Sequence, residues 1–134
     1  MNLLIAGLTP GTRPAHVARA ALEAIAWRVA DIAAAVSEHA DLDVLRVDGG
    51  LTRDDLLLQL QADFAGIPVE RGLVDATVAG AAALAAVGAG LWPSTAAIAT
   101  HIPSGTRIEP RRDDAWRTTE HAAWRDFTTR AAAL

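Results

Sequence analysis

An α/β fold made of strand–helix repeats and closed by a C-terminal helix is what this sequence predicts, and three observations carry that prediction. Short apolar runs alternate with longer stretches in which apolar residues return every three or four positions. Glycine, proline or an acidic residue stands at most of the junctions, where strands end and helices begin. The 134 residues, 51% hydrophobic and 21% charged, suffice for one packed unit of ordinary size.

The first run, Leu3 to Leu8, reads as a strand, and Thr9-Pro10-Gly11-Thr12 as the turn after it. A lone strand needs partners, so this opening run marks the chain as an expected piece of something longer. Pro14 suits the first turn of a helix, where its missing N–H costs nothing, and the helical pattern runs from Ala15 to about Glu38. Val17, Ala21, Ile25, Val29, Ile32 and Val36 form its apolar stripe, while Arg19, Glu23, Arg28 and Asp31 fall mostly on the other face.

Asp43 to Asp48 reads as a strand ended by Gly49-Gly50. Thr52 is the expected N-cap of a second helix, with Asp55 as its capping-box partner and Gly66 as the C-terminal cap. Ile67 to Glu70 reads as a short strand whose Pro68 suits an edge or a first strand position. Asp75 is expected to cap a third helix, Ala76 to about Ala89, composed mostly of Ala and Gly. Side chains so small contribute stability only through close approach to a neighbour. Further on, Ala96 to His101 and Arg107-Ile108 read as extended, and a last helix runs from about Asp113 to Ala133 with Trp116, Trp124 and Phe127.

Several classes of function are excluded by composition. Twelve basic against 16 acidic residues, a formal charge of −4, leave no basic footprint for nucleic acid. Without cysteine there are no disulfides, thiolate metal sites or cysteine nucleophiles. Every basic residue is Arg, which removes the lysine needed by a Walker-type phosphate loop or a Schiff base. The small apolar run from Val78 to Trp92 is shorter than the roughly 18–20 strongly apolar residues of a membrane span. No signal-peptide pattern opens the chain, so a soluble, cytoplasmic protein with neither membrane nor nucleic-acid partner is expected.

His16, His39, His101 and His121 lack the spacing of a zinc pair and read as surface or capping residues. Asp113-Asp114 stands at a helix start, where the dipole favours negative charge. Ser94 and Ser104 have no glycine-elbow context. Val47-Asp48-Gly49-Gly50 is more informative: an apolar strand ends in two glycines and a helix follows. Glycines let a bound group approach the backbone, and a helix N-terminus suits phosphate. An ordinary strand–helix turn fits the same residues.

Leu45-Arg46-Val47-Asp48-Gly49-Gly50, continued by Leu57-Leu58-Gln59-Leu60-Gln61-Ala62-Asp63 and Ile67-Pro68-Val69-Glu70-Arg71, resembles the C-terminal domain of the FGGY carbohydrate kinases. The Gln-x-Gln-Ala-Asp segment and the Pro-Val-Glu-Arg after it look most like the glycerol kinase branch of that family. Gly7-Leu8, His16-Val17 and Ala20-Ala21-Leu22-Glu23 resemble the second signature of the family, departing from it at Leu3, where a small residue is usual. Asp75 to Ala82, Glu109-Pro110 and the Trp124 region extend the resemblance over nearly the whole chain.

The resemblance implies an actin-like ATPase (ribonuclease H-like) domain, with ATP or ADP and Mg²⁺ held between two domains. It implies transfer of the ATP γ-phosphate to a hydroxyl of a polyol or sugar. Gly49, Gly50 and Asp54 correspond to nucleotide-binding positions. Asp54 stands where glycerol kinases place an Asn, which removes an amide donor and adds a charge near a polyanion. The phosphate loop, the sugar-contacting residues and the catalytic-base Asp of the family lie upstream, so no catalytic or metal-ligating residue is expected in residues 1–134. The chain is therefore expected to be part of the nucleotide-side C-terminal domain, inactive alone, with an upstream kinase portion or a homo-oligomer as partner. A non-catalytic nucleotide-binding or interaction module is the alternative. Either way, faces normally covered by neighbours should leave an apolar patch.

Overall fold

Helix α1, Pro14–Ser37, begins at Pro14, and extended Arg13 precedes it with its N–H donating to His16 Nδ1 at 3.2 Å. The computed structural model of the protein describes residues 4–101 and 105–133. After α1 come β1 (Leu45–Val47), a 3₁₀ turn (Gly50–Arg53), α2 (Asp55–Ala65) and β2 (Val69–Arg71). Then follow α3 (Ala76–Gly88), α4 (Ala96–His101), β3 (Arg107–Ile108) and α5 (Asp114–Ala132). Strand order is β1-β2-β3. β1 and β2 are parallel, with Leu45 opposite Val69 and Val47 opposite Arg71, and α2 is the crossover between them. β3 runs antiparallel to β2, with Ile108 opposite Val69.

The core is arranged around α2, which buries two faces. Leu57, Leu60 and Phe64 pack on Ala26, Trp27 and Ala30 of α1, with Trp116 and Trp124 of α5 against the same cluster. Leu58 and Ala62 pack on Val69, flanked by Leu45, Val47 and Ile108 of the sheet. Trp27 stacks on Phe64 with ring centroids 4.1 Å apart. Gly66 ends α2 with φ +69°, its N–H donating to Ala62 O at 2.9 Å, as the C-terminal cap requires.

Several expectations are corrected. Leu4 to Leu8 form no strand; nothing in the described chain pairs with them, and a strand without a ladder is not stable. Leu3 and Ser104 lie outside the described residues. Ala96 to His101 are helical, not extended: alanine favours the helix, and Thr100 Oγ1 and His101 Nδ1 both lie within hydrogen-bonding distance of Ala97 O at 2.7 Å. On α1 the buried face is Ala26, Trp27, Ala30 and Ala33, whereas Ile25, Ile32 and Val36 of the expected stripe are exposed. The alanines let α2 approach closely, so shape rather than hydrophobicity selects the core face. Asp75 precedes α3 without a side-chain capping bond.

Candidate functional site

The turn after β1 is held by its own backbone. Gly49 adopts φ +89° and ψ −179°, a conformation essentially restricted to glycine. Its carbonyl accepts from Thr52 N at 3.1 Å and from Thr52 Oγ1 at 2.7 Å, and Thr52 is buried. The hydroxyl so engaged is not free to cap α2. Asp54 takes that role instead: its backbone is extended, and Oδ1 accepts from Leu57 N at 3.0 Å. This corrects the capping box expected from Thr52 and Asp55.

Asp55 instead reaches across to Arg71 of β2 in an ion pair. A Cβ placed on Gly49 or Gly50 would meet nothing within 4 Å, so the outer face of the turn is open. Gly49, Gly50 and Asp54 thus stand together at one end of the sheet, at the start of α2. One orphan N–H of that helix is already satisfied by the N-cap Asp54, and a second carboxylate, Asp55, sits in its first turn. That arrangement disfavours a phosphate directly on the helix axis and leaves the glycine backbone as the open face of the turn.

Beside the turn, a cleft of about 710 Å³ is lined by Asp55, Gln59, Arg71, Arg107 and Arg111 among others. The Gln-x-Gln-Ala-Asp segment explains how its wall is built. Asp63 Oδ1 accepts from Arg111 N at 2.6 Å and from Gln59 Nε2 at 3.0 Å, and Gln59 Nε2 also donates to Glu109 O at 3.0 Å. α2 thereby clamps the segment leaving β3. Gln61 sits at the opposite side of the helix, beside β1. Sequence reasoning singled out this segment as a family mark but not as a clamp, because its partners lie about fifty residues away.

At the α1–α5 junction, Asp31 accepts from His121 Nε2 at 2.7 Å and from Trp124 Nε1 at 3.1 Å. Burial alone would raise its carboxyl. The hydrogen bonds from His121 and Trp124, with the attraction of His121 and Arg28, outweigh burial and hold the carboxyl below its ordinary value. Among the described residues no three His, Asp or Glu side chains come together as metal ligands.

Residues 1–89 match the family model of the C-terminal domain of the FGGY family of carbohydrate kinases. Among curated proteins, the glycerol kinase of Aromatoleum aromaticum is 44% identical over 128 residues, covering 93% of this chain and 26% of that protein. The crystal structure of Plasmodium falciparum glycerol kinase with ADP superposes with a TM-score of 0.79 at 28% identity, over 93% of this chain and 26% of that one. Xylulose kinase from Rhodospirillum rubrum gives a TM-score of 0.74 at 26% identity, over 96% of this chain and 26% of that one. The chain thus spans about a quarter of the length of the relatives it matches. Its mixed α/β architecture is that of the actin-like ATPase fold of these kinases. By sequence and by fold, this chain belongs to the FGGY family of carbohydrate kinases, within the family's C-terminal domain.

Proposed function

We propose that the chain is the nucleotide-side part of an ATP-dependent carbohydrate or polyol kinase of the glycerol kinase type. Gly49 and Gly50 contact the adenosine part of ATP or ADP, and Asp54 flanks it. The observation that carries this reading is the Gly49 turn: a backbone conformation reserved for glycine, open on its outer face, between β1 and α2. A solved neighbour of the same fold is a glycerol kinase crystallised with ADP, which supports a nucleotide as the ligand.

Phosphoryl transfer to a hydroxyl needs a base near the acceptor and positive charge around the γ-phosphate. The turn offers neither, and no catalytic residue is assigned to this chain. Mg²⁺ would shield the phosphate charge when the nucleotide is bound; no carboxylate cluster among the described residues fits it, so no ligand for it is assigned here either. The intact assembly, with an upstream kinase portion, would transfer the γ-phosphate to a polyol or sugar hydroxyl. The chain alone would bind nucleotide without turning it over.

A second reading, a non-catalytic module, is favoured by Asp54, whose negative charge sits where a polyanion must approach. No described helix is long and apolar enough to cross a membrane, and we place the protein in the cytoplasm with its proposed substrates. Titration calorimetry with ADP tests the central reading. Binding heat at up to millimolar ADP is expected, and its absence would remove the nucleotide. Acceptor-dependent ATP turnover by the purified chain would remove the statement that chemistry resides elsewhere.

A further inference from the structure

A second hollow lies away from the Gly49 turn, between α1, α5 and the segment that precedes α1. Its volume is about 380 Å³, inside the range of roughly 300–1,000 Å³ usual for small-molecule pockets. Alanine makes the room. Ala20, Ala21 and Ala24 share one side of α1 at helical spacing, and Ala123 stands opposite them on α5. Aromatic rings stand around this space: Trp27 on α1, and Trp124 and Phe127 on α5, the last two with ring centroids 6.2 Å apart. Leu4 and Ile5 complete the wall.

The charge of the lining is one-sided. Its charged side chains are two carboxylates, Glu23 and Glu120, and no arginine lines it. Arg19 Nε donates to Glu23 Oε1 at 2.7 Å, whereas exposed Glu120 has no ion-pair partner among the described residues. The aromatic wall has the same preference, since the Arg28 guanidinium already lies over the Trp124 ring, 5.6 Å from its centroid. An anion entering the hollow would meet like charge. A neutral apolar molecule would fill the space and leave Glu120 unmatched.

We propose that this hollow binds a small organic cation, an aromatic or branched apolar body carrying one ammonium group. The body lies against Trp27, Trp124 and Phe127 in the space left by the alanines. The ammonium group donates to Glu120, and Glu23 adds negative potential beside it. The site shares no residue with the Gly49 turn, so it stands or falls independently of the nucleotide reading. Because the ligand touches α1, α5 and the segment before α1, binding also stabilises the fold.

Three probes with the same ring test this: 2-phenylethylammonium, neutral 2-phenylethanol and anionic 3-phenylpropanoate. Tryptophan emission and thermal melts of the full chain are followed as each is added. The ammonium ion is expected to change the emission, to raise the melting temperature and to bind about fivefold more tightly than the alcohol, with the propanoate weakest. Glu120→Gln should bring the ammonium ion down to the affinity of the alcohol and leave the melting temperature of the free protein unchanged. Ala123→Leu, at an exposed helix position, should keep the fold and fill the hollow, abolishing binding of both probes. Equal affinity for the ammonium ion and the alcohol would overturn the proposal, because it marks an unselective apolar surface. So would a preference for the ammonium ion that survives Glu120→Gln, binding that survives Ala123→Leu, or no response to the ammonium ion at millimolar concentration.

Discussion

Trp27 of α1 links three helices through stacked rings of α2 and α5. It stacks on Phe64 at 4.1 Å and lies 5.3 Å from His121 and 6.4 Å from Trp124. Replacing a buried Trp by Ala removes the transfer energy and leaves a cavity, so Trp27→Ala is expected to cost about 3–5 kcal/mol. Urea unfolding of the two proteins reads that loss directly.

Next to Trp27, Asp31 makes the α5 contact pH-sensitive. A carboxyl whose folded pKa is depressed stabilises the fold above its unfolded value and loses that contribution as pH falls through the folded value. The junction should therefore hold at neutral pH and loosen below about pH 4, where an unperturbed Asp takes its proton. Asp31→Asn should flatten the pH dependence of the melting temperature in that range. An unchanged profile would remove Asp31 as its source.

Gly49 gives a different kind of sensitivity. A side chain there meets no atom, so Gly49→Ala isolates the backbone cost of φ +89°, about 1–3 kcal/mol. ADP affinity should fall with it if the turn is the contact surface.

At the scale of elements, the sequence disclosed α1, α2, α3, α5 and all three strands of the sheet, because their periodicity and punctuation are local. Gly66 and Pro14 sit where their backbone preferences say they should. What was not legible depends on partners far along the chain. Leu4 to Leu8 have the composition of a strand and, among the described residues, no neighbour to pair with. The face of α1 that meets α2 is chosen by the small size of Ala26 and Ala30, which hydrophobic periodicity ranks below isoleucine. Gly49 and Gly50 were visible as a turn in the sequence, but the lock by Thr52 was not.

The α2 cap follows the same logic, since Thr52 is drawn back to Gly49 and leaves the role to Asp54. Asp54→Ala should cost about 1 kcal/mol through the lost cap. Asp54→Asn keeps the cap and removes a charge, so stability should stay the same while ADP affinity rises by about fivefold, near the 1 kcal/mol of one screened charge contact. Calorimetric titration and thermal melts of the two variants separate capping from ligand repulsion.

For the whole molecule the decisive quantity is apolar surface without cover. Val78, Leu84 and Leu91 are 70%, 60% and 77% exposed, and Ala83 is the one buried residue of α3 among those described. Ile32 is 65% exposed on α1. Small residues along α3 are shaped for close packing, yet that packing is not supplied by the described residues. Scattered exposed apolar residues are ordinary, but Ile25, Ile32 and Val36 on α1, with Val78 and Leu84 on α3 and Leu91 just after it, together mark association surfaces. The isolated chain is therefore expected to bind apolar dyes and to self-associate at micromolar concentration, with association weakening as temperature falls because apolar burial drives it. Ile32→Glu and Leu84→Glu each place a charge at an exposed site, where stability should change by less than about 0.5 kcal/mol. Light scattering of the double variant should then show a monomer with an unchanged melting temperature. A parent chain that is already monomeric and does not bind dye would show that these faces need no cover.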